Sequence, residues 1–167
     1  MLRTPRLLLR RMTRADAPAL FAFMSDEWTM RYWSTLPHAS CAVTEDFIRE
    51  TEAAIALGEA DDYLITDGER VMGKAGLWRG AEIGILLGRA YWGQGFATEC
   101  ANAVITQGFS RGLKRITADV DPRNEASLKL LRRLGFRKTG EAKATFRIGQ
   151  DWVDSVYFSL SAADYGT

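Results

Sequence analysis

The stretch EIGILLGRAYWGQGFAT, residues 82–98, decides how the rest of the chain is read. An apolar strand over residues 83–87 ends at Gly88, a short loop follows, and a helix begins through Gly93, Gln94 and Gly95. Glycine lets backbone come close to a ligand, and the first turn of a helix leaves amide N–H groups unpaired with a partial positive charge. The spacing therefore predicts an anion cradle made of backbone, suited to a phosphate or pyrophosphate. A surface turn that contains two glycines is the alternative reading of the same residues. On the strand, Glu82, Gly84 and Leu86 share one face, and Ile83, Ile85 and Leu87 share the other. Gly84 inside the strand predicts a bulge or a close approach by another backbone.

Upstream of this stretch the period changes twice. Residues 6–10, RLLLR, predict a first strand, and Thr13 followed by Asp16 resembles the box that opens a helix. Leu20, Phe21, Phe23 and Met24 fill that helix as far as Ser25. Trp28, Tyr32 and Trp33 then cluster in a loop or broken helix, where they either join the core or line a substrate pocket. His38, in a turn bounded by Pro37, reads as a surface residue. A second helix is predicted over 44–57, closed by Gly58. Strands over 63–65 and 70–77, joined by Asp67-Gly68, form a hairpin, so three antiparallel strands lead into the glycine loop.

Downstream, Ala97, Ala101, Val104, Ile105, Gly108 and Phe109 fall on one helical stripe that Gly112 stops. A crossover helix makes the next strand, 114–120, parallel to the strand over 83–87. Asn124 can cap a last helix with the stripe Leu128, Leu131, Leu134, closed by Gly135. Strands over 136–141 and 152–160 form a terminal hairpin, a possible dimer edge.

Length and composition restrict the rest. The 167 residues suit one domain, 1–167, able to bury a core without disulfides. A net charge of +1 steers the whole molecule toward neither nucleic acid nor a membrane surface. Locally, basic residues outnumber acids nine to three between Arg111 and Lys138, which fits a solvated helix face or a phosphorylated ligand beside the cradle. Two distant cysteines and one histidine predict neither a disulfide framework nor a metal centre. The apolar run at residues 7–9 is too short for a signal peptide, so the expected location is the cytoplasm.

A dinucleotide fold would also place strand, G-x-G and helix in this order. Here Thr98 stands where its third glycine belongs, and an antiparallel hairpin precedes the loop. Too little chain follows for a doubly wound sheet. Instead, YWGQGFATE resembles the pyrophosphate motif of the GNAT acetyltransferase superfamily, with Gly95 and Ala97 at its small positions. Residues 124–136, NEASLKLLRRLGF, resemble its second acetyl-CoA motif. The opening TPRLLLRRMTRADA and the closing GQDWVDSVYFSL look like the Rim-type branch, which acetylates protein amino termini.

The resemblance covers nearly the whole chain and implies an α/β fold. Its central, mostly antiparallel twisted sheet has one parallel pair and flanking helices. It implies acetyl-CoA as cofactor, held by Leu86, Leu87, Trp92, Gly93, Gln94, Gly95, Phe96, Ala97, Thr98, Asn124 and Ser127. Two positions depart from the pattern. Trp92 stands where many relatives carry Arg or Gln, and Leu131 where many carry the tyrosine that protonates the leaving thiolate. The Rim-type branch assigns that task to a serine, here Ser127, although a first-turn hydroxyl is also common helix structure.

The chemistry needs a base, and an α-amine, titrating at about 7.7 to 8.0, needs a milder one than lysine at about 10.4. Glu82 is the first choice for this role and Asp119 the second. Trp28, Tyr32 and Trp33 would border the amine pocket. The expected acceptor is a protein or peptide amino terminus; a small-molecule amine and a CoA-binding module without turnover are the rival readings.

Overall fold

Alternating apolar residues and turn glycines give the described residues eight strands and five α-helices. The computed structural model describes residues 1–166. Two short strands, β1 (Leu2–Arg3) and β2 (Leu8–Arg10), pair antiparallel at one edge. A 3-10 turn follows, closed by the expected reciprocal box between Thr13 and Asp16. It leads into α1 (Ala17–Met24) and a one-turn α2 (Glu27–Met30), which Asp26 caps by accepting from the Thr29 amide at 2.7 Å. α3 (Cys41–Ala56) begins nearly a turn before the predicted start, after Ser40 in an extended conformation, and ends before Gly58 at φ 75°.

Then come β3 (Ala60–Thr66), β4 (Val71–Trp78), β5 (Glu82–Leu87), α4 (Phe96–Ser110), β6 (Arg115–Val120) and α5 (Glu125–Arg133). The hairpin of β7 (Arg137–Ile148) and β8 (Asp151–Ser161) completes the chain. All eight strands join one sheet in the order β1-β2-β3-β4-β5-β6-β8-β7, and only β5 and β6 run parallel. This is the mixed GNAT-type sheet the sequence predicts. No helix among the described residues is long and apolar enough to cross a membrane.

Strand alternation divides the core in two. Tyr63, Ile65, Ile83 and Leu87 pack with Cys100, Ala101, Val104 and Ile105 of α4 and with Leu131 of α5. On the opposite face Leu64 and Leu86 pack with Leu20 and Met24 of α1 and Ile48 of α3. At about 25 cal/mol per Å² of apolar area removed from water, these two layers are the main stabilising contribution.

Three expectations need correction. His38 is 9% exposed, because its Nδ1 lies 2.8 Å from the Thr44 hydroxyl and its ring packs edge-on against Phe47. The predicted strand over 136–141 runs on to Ile148 across an irregularity between Ala142 and Phe146, where Ala144 adopts φ 50°. Finally, Gly84 marks no bulge: β5 keeps an unbroken register with β4 from Glu82 to Leu87. The close approach there comes from a side chain, since a Cβ on Gly84 would lie 3.3 Å from the Trp33 ring.

Candidate active site

β5 and β6 share a single registered pair, Glu82 with Thr117, fastened by the Thr117 amide on the Ala81 carbonyl at 2.9 Å. Beyond it the strands part, because β6 stays paired with β8 along its whole length while β5 follows β4. The parting opens a cleft of about 710 Å³ between Gly84 and Ile85 on one side and Ala118 to Val120 on the other.

The backbone of β5 also presents groups to this opening. The Gly88 amide bonds to the Met72 carbonyl at 2.9 Å, and antiparallel pairing alternates from there. Gly84 and Leu86 therefore direct their N–H groups to β4, while Ile83, Ile85 and Leu87 direct theirs to the gap. The Leu86 amide, expected to help hold acetyl-CoA, is thus spent on β4, and the amides of Ile85 and Leu87 are the ones that face the gap. The Leu86 and Leu87 side chains are core residues, so a ligand can use only main chain there.

After β5, Gly93 (φ 72°) and Gly95 (φ 83°) adopt the left-handed conformation that other residues avoid, and α4 starts at Phe96. No side chain caps this helix, so its first amides have no side-chain acceptor. Trp92 turns its indole N–H back onto the Leu87 carbonyl at 2.7 Å, and the Gln94 side chain bonds to the Ala90 carbonyl at 2.7 Å. Of the expected cradle, the backbone at Gly93, Gly95, Phe96, Ala97 and Thr98 is left available to an anion.

The loop is held from behind by Arg6, which the sequence reading missed. Its guanidinium donates to the Gln94 carbonyl at 3.0 Å and to Glu99 at 2.7 Å, and lies 4.3 Å from the centre of the Phe96 ring. Glu99 also accepts from the Arg6 amide and the Thr4 hydroxyl. Burial would raise the Glu99 carboxyl, but these donors hold it below the ordinary range. No spacing rule connects residues so far apart.

α5 closes the cleft from the other side. Asn124 caps it by accepting from the Ser127 amide at 3.1 Å. Both residues line the cleft, and the Ser127 hydroxyl has no protein partner among the described residues. Leu131 is buried beside them.

Glu82 stands where the strands divide, half-buried, with Asp119 across the opening. Burial raises its carboxyl above the ordinary glutamate value, repulsion from Asp119 adds to this, and Arg79 opposes it. Two of the three expected aromatics, Tyr32 and Trp33, line the cleft. Trp28 does not: it is 56% exposed, with the guanidinium carbons of Arg31 and Arg89 at 5.3 and 5.7 Å from its ring.

The structure adds wall residues with no sequence signal. Asp62 and Lys74 form a buried ion pair of 2.7 Å beneath Trp33 and Phe47, and the irregularity in β7 presents Phe146 and Arg147 to the opening. Behind the sheet, Asp61 is fully committed, accepting from Tyr63 at 2.7 Å and from Arg11 at 2.6 Å and pairing with Arg111 at 2.7 Å. Burial and that hydrogen bond push the Tyr63 hydroxyl up to about 12.

Splayed parallel strands, a left-handed glycine loop opening a helix, and a capped second helix define an acyltransferase-type cleft. The chain belongs to the GNAT acetyltransferase domain family, which matches residues 6–137. It is 34% identical to the uncharacterized N-acetyltransferase p20 of Bacillus licheniformis, over 97% of this chain and 96% of that protein. The fold is similar to that of RimL, a ribosomal L7/L12 alpha-N-protein acetyltransferase in complex with coenzyme A. That match has a TM-score of 0.85 and 23% identity, with 95% of each chain covered. It is equally similar to the spermidine N-acetyltransferase of Vibrio cholerae in complex with CoA and spermine, at a TM-score of 0.85 and 20% identity, covering 98% of this chain and all of that one.

Proposed function

We propose that this chain uses acetyl-CoA to acetylate the α-amino group at the amino terminus of a protein or peptide. The observation that carries the reading is Glu82: one half-buried carboxylate at the parting of the strands, raised above its ordinary value by burial and by Asp119. A base of that kind suits an amine that is already about one-tenth neutral near pH 7, and is poorly matched to a lysine-type amine.

The residues present fit acetyl-CoA. Left-handed Gly93 and Gly95 followed by the free amides of α4 suit its pyrophosphate, and the parted strands leave room for an extended chain. When bound, acetyl-CoA supplies an acetyl group on a thioester, already activated for attack by an amine. Glu82 takes the proton of the incoming ammonium, directly or through one water. The N–H groups of Ile85 and Leu87 would polarise the thioester carbonyl. Ser127 Oγ, without a protein partner among the described residues, would donate a hydrogen bond to the departing thiolate, which takes up the second proton shed by the acylated nitrogen. A thiol near 8.5 costs roughly 2 kcal/mol to ionise at neutral pH, which one good hydrogen bond largely offsets.

A polyamine acceptor is the second reading, favoured by Glu50, Glu82 and Asp119 on the cleft wall, carboxylates that form no ion pair among the described residues. Thiol release with acetyl-CoA and a panel of N-terminal peptides, spermidine and lysine distinguishes the two. Turnover of peptides at neutral pH supports the proposal, and turnover confined to spermidine overturns it. A homodimer through the outer edge of β7 and a cytoplasmic location belong to the same proposal; sedimentation at two protein concentrations tests the first.

A further inference from the structure

Two ion-pair systems sit side by side on β3 and differ in how much of their bonding capacity is spent. Asp61 uses both carboxylate oxygens on Tyr63, Arg11 and Arg111, all behind the sheet. Asp62, the next residue and so on the other face, lies in the cleft wall with Lys74. Asp62 and Lys74 are 4% and 5% exposed, and their charged atoms are 2.7 Å apart. Asp62 is also bound by the Tyr63 amide at 3.0 Å, so its position is fixed. An ammonium carries three N–H donors. Among the described residues Lys74 pairs with Asp62 alone, and its ammonium also meets the faces of Trp33 at 4.9 Å and Phe47 at 5.3 Å. Donor capacity is left over, inside a cavity and shielded from water.

Burying such a pair is expensive, and apolar residues of like volume often serve stability as well or better. This sheet nevertheless makes room for it. A Cβ on Gly76 would lie 2.5 Å from the Asp62 Cα and 2.6 Å from both the Asp61 carbonyl oxygen and the Asp62 carboxylate, so β4 carries no side chain beside the acid. Trp33 links the pair to the reaction centre, since its ring covers Gly84 of β5 and also meets the Lys74 ammonium. The cleft wall thus carries both an acid, Glu82, and a fixed cation with spare donors. An amino-terminal residue offers a complementary pair: an ammonium and, a few ångströms away, a carbonyl oxygen that accepts hydrogen bonds. A polyamine or lysine side chain has methylenes or a second cation there.

We propose that Lys74, held in place by Asp62, selects acceptors by donating to an oxygen on their first two residues. The inference rests on the amino-terminal reading given above. It is tested on the whole protein with two substrates, a tripeptide amide and n-hexylamine, which has no oxygen. Lys74→Met is the direct variant, but it leaves Asp62 buried without a partner. The double variant Asp62→Asn/Lys74→Met removes both charges together, and unchanged CoA affinity by titration calorimetry shows that it is folded.

The expected result for the double variant is a KM for the tripeptide raised at least tenfold with kcat changed less than threefold, and an unchanged or improved kcat/KM for hexylamine. Equal losses on both substrates, or no loss on either, overturn the assignment of Lys74. Wild-type protein that turns over hexylamine but no tripeptide overturns the amino-terminal reading itself, a failure seen before any variant is made.

Discussion

At one end of the cleft the groups offered to a ligand are main-chain amides set by Gly93 and Gly95. At the other they are side chains: Trp33 after α2, Asp62 on β3, Lys74 on β4 and Glu82 on β5. The first end is fixed by two left-handed backbone conformations and by Arg6 bracing the loop from behind. The second depends on charges brought together from separate elements inside a partly closed space. The two ends should therefore fail differently. Backbone changes at the first end should abolish CoA binding, and side-chain changes at the second should impair acceptor binding or the chemistry with CoA binding intact.

Glu82→Gln is the sharpest way to break that division. It keeps the shape and removes the base, so kcat on the best peptide should fall by about 10²- to 10³-fold, within the usual range for general-base catalysis. CoA affinity by calorimetry should not change. Gly95→Val addresses the other end. A β-branched residue at φ 83° is strained and redirects the first amides of α4, so CoA affinity should drop by roughly 100-fold, or about 2.7 kcal/mol.

Ser127→Ala should have a smaller effect, about tenfold in kcat with KM for the peptide unchanged, matching one hydrogen bond made only as the thiolate departs. The smallest effect is expected from Asp119→Asn. Glu82 must be ionised to act, so the acid limb of kcat/KM lies above the ordinary glutamate value. Removing the repelling carboxylate should move that limb to lower pH and leave the plateau nearly unchanged.

The difference between the ends also explains what could be read from the chain alone. A left-handed turn into a helix demands glycine at particular positions, and a capped helix demands Asn124 three residues before the amide it binds. Both requirements are local and stand in the sequence in order. The same holds for the strand and helix periods that predicted the mixed sheet.

The acceptor end leaves no such pattern. Asp62 and Lys74 lie in runs that read simply as strands, and only the register of β3 against β4 makes them neighbours. Arg6 and Glu99 meet across 93 residues of chain. Trp28 stands close to Tyr32 and Trp33 in sequence, yet on the short helix capped by Asp26 it is exposed. His38 looked like a turn residue, and Thr44 and Phe47 bury it. Burial there lowers its pKa, and its place behind Phe47 was invisible without α3.

The central claim, acetyl transfer to an amino terminus with Glu82 as base, is tested most directly by one assay. A peptide carrying a free α-amine and an internal lysine is incubated with acetyl-CoA at pH 7, and the product is mapped by fragmentation mass spectrometry for wild type and Glu82→Gln. The account predicts acetylation at the α-amine alone, with the variant slower by at least 100-fold. Acetylation at the lysine, or an undiminished rate in Glu82→Gln, would contradict it.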